Sequence, residues 1–519
     1  MKIEADLVVF NGNIITMDPA QPMATTLAIK NFKFLAVGKD EHIEDLLPTA
    51  RRVIDLGGKT ALPGFVDAHT HITVEGIRAS HVRLSDAKSI AEVQALLREA
   101  VPRHAPGQWI RGYGWDESRW SEKRYITASD LDAVSRDHPI AVDRVDMHLT
   151  SVNTTAMQQM AIPDQEGVLK DAKGRPIGVY RDVADVHKAL YPTADEVRRG
   201  VVAATRIANV HGITTAVDNI QPGTLRLIRE CETSNELTAR LVVNIRDKQM
   251  EHLIKLGITS GMGSPMVRIG GVKSFIDGSI GARTAAVSEP YKDDRKNKGR
   301  LLTTPRALKR LVTTAVHGGL QTAIHAIGDA AIEMLIATFE SLSDDERSLM
   351  RAQRHRIEHA EMISEDQIRR ATALGLILSM QPNFVVPWQL EGGLYYDRFE
   401  DDRVDCMNMF RVALDNGARV CFGSDGMPYG PLYGIWAAAT HPNPKVRLSV
   451  EEALRCYTVV GAYASFMERI AGSITVGKRA DFVVLSDNIL RTSPSCIKDI
   501  VVENTFVGGI EEFSVAKNR

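Results

Sequence analysis

Two histidines at the end of an apolar run are the first residues with the spacing to do chemistry. His69 and His71 close the segment 63–71. Residues i and i+2 of a strand face the same side, so both imidazoles would point the same way where that strand ends. Such a pair suits one metal ion. With 15 histidines in 519 residues, chance gives roughly 0.4 such pairs, so the pair alone is a weak signal.

A lysine inside a second apolar run is the next candidate. Lys273 lies within the predicted strand 267–275. Burying an ammonium group is costly unless its charge is paired or removed. Two interpretations follow from the residues. Lys273 either pairs with Asp277 or extends to solvent at the strand end, or it is carboxylated by carbon dioxide to a carbamate that bridges two metal ions.

Three further polar residues follow apolar runs at regular intervals. His325 ends one run, His359 follows the next run 34 positions later, and Asp425 stands another 66 positions on. These intervals fit one and two βα units, which places each side chain at the C-terminal end of a parallel strand. Four imidazoles, one lysine and one aspartate in this pattern indicate a zinc site or a site for another borderline divalent ion.

Eight apolar runs in the middle of the chain predict the strands that position these residues. Amphipathic stretches such as 195–210 and 305–316 separate most of them and predict crossover helices. Eight strands with crossover helices are the count of an α/β (β/α)₈ TIM-type barrel. The predicted strands are 65–68, 213–217, 241–245, 267–275, 322–324, 355–357, 376–380 and 420–422.

Both ends of the chain show a pattern of short strands separated by turns. Residues 5–60 alternate strand-like and turn-like segments, and residues 481–485 form a strand after the turn at 472–477. We therefore predict a small discontinuous β-sandwich domain from residues 1–60 and 470–519. The barrel is predicted over 61–74 and 196–469.

Residues 75–195 are too many for one βα unit and are rich in aromatic and charged side chains. We predict an insertion after the first barrel strand, forming a cap over the barrel mouth. An independent domain without a catalytic role is the alternative. Tyr113, Trp115 and Asp116 are candidate substrate contacts here, although an aromatic cluster is more often core packing. Arg283 has two interpretations of equal weight, pairing with a substrate carboxylate or with Asp277.

Composition narrows the class of partner. The formal charge is −2, from 63 basic and 65 acidic residues. The chain therefore has no excess of positive charge that would attract nucleic acid or an anionic membrane, and we expect a small-molecule substrate. Five scattered cysteines without a C-x-x-C pair indicate a reducing, cytoplasmic setting. No apolar stretch is long enough to predict a membrane span or a signal peptide. A homo-oligomer is possible, and the sequence does not decide it.

Together these motifs resemble the amidohydrolase superfamily and, within it, the YtcJ-like group that includes N-substituted formamide deformylases. The resemblance extends over essentially the whole chain. It is carried by the segments 63–71, 270–284, 325–329, 356–360 and 423–425.

The resemblance implies a set of ligands for two divalent ions. By position, His69, His71 and Asp425 would bind the more buried ion. His325 and His359 would bind the outer ion, and carboxylated Lys273 would bridge the two. Zinc is the expected metal, with manganese, iron or cobalt as alternatives. His148 resembles a position near the substrate, and as a lone histidine it could equally be structural.

The implied reaction is hydrolysis of a C–N amide bond, of the N-acyl or N-formyl type, by a metal-bridging hydroxide. Asp425 would act as general base and then general acid. The ion held by His325 and His359 would polarise the carbonyl. A mononuclear relative that acts as a deaminase or as an ester or lactone hydrolase is the first alternative. A metal-free scaffold protein is the second, and the six filled ligand positions count against it.

Overall fold

The computed structural model describes residues 4–42, 44–117, 120–145, 149–181, 183–426 and 429–517. The chain divides into two compact units. Met1–Ile72 and Thr205–Arg519 form the first unit, and Thr73–Ala204 form the second. Among the described residues, no helix combines the length and apolar character needed to cross a membrane.

An eight-stranded sheet forms the centre of the first unit. Its strands pair in parallel and in chain order. Just beyond the last strand, the amide of Asp425 donates to the carbonyl of His69 at 2.9 Å, which joins the eighth strand to the first. The predicted α/β barrel is confirmed. Its strands are Phe65–Thr70, Ile213–Asn219, Arg240–Arg246, Val267–Phe275, Gln321–Ala326, Arg356–His359, Ile377–Met380 and Arg419–Phe422.

Amphipathic helices connect the barrel strands. In Pro305–His317 the buried residues Leu308, Val312 and Ala315 recur at i, i+4 and i+7, which is one face of a helix. The hydroxyl of Thr304 accepts an amide hydrogen of the first turn and so caps this helix. The helices of the first unit are Thr224–Thr233, Met250–Lys255, Pro305–His317, Asp329–Glu340, Asp344–Gln353, Glu365–Leu374, Leu394–Arg398, Asp401–Val404, Phe410–Asp415, Pro431–Thr440, Val450–Cys456 and Val459–Ala464.

The two chain ends build two further sheets that share one apolar core, as predicted for a β-sandwich. Val9 and Leu27 of one sheet and Phe482 and Phe506 of the other are buried in that core. The rings of Phe482 and Phe506 stack at 4.3 Å. The first sheet has the order Lys33–Gly38, Thr26–Lys30, Leu7–Phe10, Val53–Asp55, and the second has the order Ile510–Ser514, Val502–Val507, Phe482–Leu485, Thr60–Pro63, Asn13–Ile15, Met23–Ala24.

The second unit contains a six-stranded sheet of its own. Trp115 and Trp120 stack in its core with ring centroids 5.8 Å apart. The strand order is Val168–Lys170, Pro176–Arg181, Leu149–Val152, Ile140–Arg144, Ile110–Trp115, Val82–Arg83. The helices along this part of the chain are Ile72–Arg78, Ile90–Ala100, Ala128–Asp132, Thr154–Met160, Ala184–Ala189 and Ala194–Val210.

Candidate metal centre

Three side chains converge where the first and eighth barrel strands end. Oδ1 of Asp425 lies 3.5 Å from Nε2 of His69 and 3.3 Å from Nε2 of His71. One potential ligand atom from each residue lies within 4.8 Å of the other two. Ligand atoms on a tetrahedral zinc ion, each about 2.0–2.1 Å from the metal, are about 3.3 Å apart. The spacing therefore fits one divalent ion.

The other three predicted ligand residues adjoin this group. The imidazole of His359 lies 4.8 Å from that of His69 and 4.4 Å from that of His325, measured between ring centroids. Nζ of Lys273 lies 3.3 Å from Nε2 of His69. The structure thus brings all six residues together, and their role as metal ligands stays a prediction.

Hydrogen bonds on the far side of two imidazoles fix which nitrogen is available to a metal. Nδ1 of His69 donates to the carboxylate of Glu358. Nδ1 of His359 donates to Oε1 of Gln381 at 2.8 Å. Since both acceptors are oxygens, each Nδ1 carries the hydrogen and each Nε2 keeps its lone pair. This is the arrangement that metal-binding histidines commonly show.

His325 is held through its other nitrogen. Its Nε2 donates to the carbonyl of Gly278 at 2.9 Å, which leaves the lone pair on Nδ1. Oδ1 of Asp277 lies 3.6 Å from the same Nε2, beyond hydrogen-bonding distance. The Asp277 carboxylate instead accepts three backbone amides, those of Ala286, Ile327 and Gly328.

Burial keeps these imidazoles in the neutral form that binds metals. Burial, followed by the nearby positive charge of Lys273, lowers the pKa of His69 to about 3 and the pKa of His325 to about 3. Burial and then the neighbouring His325 lower the pKa of His359 well below its ordinary value. All three imidazoles are therefore neutral near pH 7.

Lys273 is fully enclosed by the barrel. Its side chain is 1% exposed, so it does not extend to solvent. It does not pair with Asp277 either, because that carboxylate is occupied by backbone amides. Both simpler interpretations of Lys273 are wrong. Burial lowers the pKa of Lys273 to about 8, against the opposing charges of Glu358 and Asp425, which raises the fraction of neutral amine that can react with carbon dioxide.

A buried ion pair between Arg356 and Glu358, which the sequence analysis missed, contacts His69 on its Nδ1 side. Nε of Arg356 donates to Glu358 at 2.6 Å, and its Nη2 donates to the other carboxylate oxygen at 3.0 Å. Burial alone would raise the pKa of Glu358, but the charge of Arg356 and the hydrogen bond from His69 hold it well below its ordinary value. Two opposite charges at i and i+2 of an apolar strand could have revealed this pair, because they share one face.

Two of the candidate ligands have left-handed backbone conformations. The φ angle is +73° at His359 and +52° at Asp425. Non-glycine residues rarely adopt this region, and each such residue costs on the order of 1–3 kcal/mol. The bond from the Asp425 amide to the His69 carbonyl helps to hold this conformation. Such strain typically marks a functional site.

Trp115 has a structural role in the second unit. It is fully buried in the core, and its indole N–H donates to the carbonyl of Val142 at 3.2 Å. No face of the ring reaches solvent. The prediction that Trp115 contacts substrate is therefore wrong, because an aromatic residue type does not reveal its own burial.

The other candidates of the second unit stay predictions as substrate contacts. Tyr113 is half-buried, and the guanidinium of Arg78 lies 5.8 Å from the centre of its ring. Asp116 forms an ion pair with Arg144 at 3.4 Å. His148 lies outside the described residues.

Arg283 pairs with a carboxylate that the sequence analysis did not consider. Its Nε and Nη2 donate to Asp293 at 3.0 and 2.5 Å. Arg398 donates to the same carboxylate at 2.6 Å. The interpretation that Arg283 pairs with Asp277 is wrong, and its contact with a substrate carboxylate stays a prediction.

Sequence comparison agrees with this geometry. The amidohydrolase family pattern matches residues 52–510. The putative amidohydrolase YtcJ of Bacillus subtilis (strain 168) is 29% identical over 486 aligned residues, covering 88% of this chain and 89% of that protein. The N-substituted formamide deformylase of Arthrobacter pascens is 24% identical over 545 aligned residues, covering 97% of this chain and 98% of that protein.

Comparison with solved structures gives the same result. The crystal structure of an uncharacterised metal-dependent hydrolase from Pyrococcus horikoshii OT3 aligns with a TM-score of 0.81 and 25% sequence identity. The alignment covers 94% of this chain and 99% of that chain. Because the family pattern covers residues 52–510 of the 519, the chain belongs to the amidohydrolase family.

Proposed function

We propose that this amidohydrolase cleaves the C–N amide bond of a small N-acyl or N-formyl amine in a metal-dependent reaction. The observation that carries the proposal is the convergence of His69, His71 and Asp425 within 4.8 Å, beside the buried Lys273. Similarity to a formamide deformylase along nearly the whole chain supports an amide as the substrate class.

The donor set suits two divalent ions, with zinc as the first choice. His69, His71 and Asp425 would hold one ion, and His325 and His359 would hold the other. A carbamate on Lys273 would contact both. Imidazole and carboxylate ligands favour zinc, while manganese, iron and cobalt accept the same donors. The similarity to a metal-dependent hydrolase supports the presence of a metal ion.

Asp425 is the residue we propose as the proton carrier. Bound divalent ions would supply an acidified water molecule and a positive charge that polarises the substrate carbonyl. The Asp425 carboxylate, 21% exposed and within 3.5 Å of Nε2 of both His69 and His71, would accept the proton of the attacking water. It would then deliver that proton to the leaving nitrogen.

A row of aromatic rings begins at His359 and offers a wall for an apolar substituent of the substrate. The ring of Phe384 lies parallel to that of His359 at 6.2 Å, and Trp388 contacts Phe384 at 4.5 Å. These two residues lie on the short Pro382–Phe384 helix and on one turn of π-helix, Val385–Gln389. Such turns are frequent at functional sites. Phe384 is buried and Trp388 is half-buried, so an aryl or alkyl group of the amine would contact this row at Trp388.

A one-ion hydrolase is the second candidate. Within the described parts of the chain, a single group of three His and Asp ligand atoms lies within 4.8 Å, which is enough for one metal ion. A mononuclear enzyme of this kind would act as a deaminase or as an ester or lactone hydrolase. The number of bound ions separates the two candidates.

A substrate screen with matched variants tests the proposal. The full chain, reconstituted with zinc, is incubated with the formyl and acetyl amides of phenethylamine and with the corresponding acetate ester. We expect release of the amine by the native protein and by His317→Asn, an exposed histidine that is not a proposed metal ligand. His71→Asn should abolish the release. Cleavage of the ester alone would overturn the amide assignment, and full activity of His71→Asn would overturn the metal site.

A further inference from the structure

The second unit contains a cavity that none of the proposed metal ligands lines. Its volume is about 760 Å³, within the roughly 300–1,000 Å³ range of small-molecule sites. Three stretches of this unit form its walls: the end of the helix Ile72–Arg78 with the turn after it, residues 103–111, and residues 189–203.

Three arginines line this cavity, and two of them are exposed to solvent. Arg103 and Arg199 make no ion pair with any residue that the structure describes. Arg111 donates to the carbonyl of Leu190 at 3.0 Å, and Asp143 lies 3.6 Å from its Nη2, beyond hydrogen-bonding distance. Guanidinium groups bind carboxylates strongly through paired hydrogen bonds.

Two carboxylates, Asp195 and Glu196, share the wall with the three arginines, so the lining keeps a formal charge of +1 with its histidines neutral. Burial and then the charge of Arg111 lower the pKa of His81 to about 4, so this imidazole is neutral near pH 7. Glu196 accepts the amide and the hydroxyl of Thr193 at 2.7 and 2.8 Å, so its carboxylate serves as a helix cap. Asp195 also lies at the cavity but is exposed.

Two aromatic side chains give the cavity an apolar surface. Trp109 is half-buried, and Tyr191 is 55% exposed although it lines the cavity. Exposed aromatic residues beside a concave polar site are typical of ligand contacts, because they add apolar area and leave the polar groups to set orientation.

We propose that this cavity binds a small organic carboxylate with a flat apolar body. The carboxylate would contact the arginines, and the body would pack against Trp109 and Tyr191. None of the residues that line this cavity is a proposed metal ligand.

Fluorine NMR on the full-length, zinc-loaded protein tests the proposal, with 4-fluorobenzoate as the probe and 4-fluorobenzyl alcohol as its neutral counterpart. Because carboxylates also bind metal ions, each titration is repeated after a chelator has removed the zinc. We expect saturable binding of 4-fluorobenzoate that survives the chelator, and weaker binding of the alcohol. Absence of saturable binding, or binding that disappears with the metal, would overturn the proposal.

Two charge reversals locate the probe on the protein. Arg199→Glu changes an exposed arginine of the cavity, whereas Arg136→Glu changes an arginine that is 80% exposed and does not line it. We expect Arg199→Glu to weaken 4-fluorobenzoate binding by at least about ten-fold and Arg136→Glu to leave it unchanged. Arg103→Glu, also exposed, repeats the test if Arg199→Glu lowers the Tm. If the cavity variants and the control bind 4-fluorobenzoate equally well, the probe does not bind in this cavity and the proposal is wrong.

Discussion

The carboxylate of Glu358 accepts the Nδ1 hydrogen of His69 across the barrel interior, from the sixth strand to the first. Both side chains are buried. The bond fixes the tautomer of His69 and turns Nε2 towards Asp425, 3.5 Å away. Glu358 therefore orients a candidate ligand without being one.

Glu358→Gln should weaken metal binding while the ligands stay in place. Outer partners of this kind are worth about 10–100-fold in metal affinity, so we expect a loss of that size for zinc. The measurement is competition with a chromophoric chelator, and Glu391→Gln on the exposed surface is the control. Because the variant also leaves Arg356 buried without its partner, the free energy of unfolding should fall by about 3–5 kcal/mol. A zinc affinity in Glu358→Gln equal to that of the native chain would show that Glu358 does not position His69 for metal binding.

Lys273→Ala should lower the number of bound ions, because the proposed bridge is lost. We expect the zinc content to fall from about two per chain to one or less. Acetate, which supplies a carboxylate in place of the carbamate, should restore part of the content and of the activity. Lys296→Ala, an exposed lysine, should behave as the native chain. Two tightly bound ions in Lys273→Ala without any added acid would contradict the bridge.

Asp425→Asn should separate metal binding from turnover. The imidazoles of His69 and His71 remain available, so we expect much of the zinc to stay bound. Loss of a proton carrier lowers turnover by about 10²–10⁴-fold. Steady-state kinetics and metal content are measured on the same preparation, with the exposed Asp397→Asn as the control. Native turnover in Asp425→Asn would rule out its proton role.

Acid should destabilise the fold through buried histidines outside the candidate ligand set. His355 is 1% exposed, its Nδ1 accepts the amide of Thr322 at 3.0 Å, and burial lowers its pKa to about 3. The unfolded chain takes up this proton near pH 6.5 and the folded chain does not. Stability is therefore full above pH 6.5 and falls as the pH drops towards 3, by up to about 1.4 kcal/mol per pH unit for one such group.

Urea unfolding between pH 7 and pH 4.5 measures this effect. His355→Asn should give a shallower pH dependence than the native chain, because one buried proton acceptor is gone. His317→Asn, whose side chain is 59% exposed, should keep the native slope. Identical slopes in all three proteins would show that His355 does not contribute.

The barrel strands were predictable because each is an apolar run and a helix pattern follows most of them. The short strands Val53–Asp55 and Thr60–Pro63 were not predicted, since three or four residues between turns carry no clear periodicity. Their pairing with Leu7–Phe10 and Phe482–Leu485 is decided by tertiary contacts.

The candidate site was predictable only where chemically distinctive residues end strands. The ligand set has that property. The bond between His69 and Glu358 joins residues 289 positions apart, and no local pattern specifies it. The pairing of Arg283 with Asp293 depends on the conformation of a loop, in which Arg283 has a φ angle of +55°.

The number of metal ions per chain is the most direct test of the central claim, that this amidohydrolase works through a pair of divalent ions. Elemental analysis is made on the purified full chain after reconstitution with zinc and removal of free metal, beside His71→Asn and His317→Asn. We predict about two ions per chain for the native protein and His317→Asn, and a clear loss for His71→Asn. Reproducible absence of bound metal in the native protein would contradict a metal-dependent reaction. A single ion per chain would contradict a pair of ions bridged by Lys273.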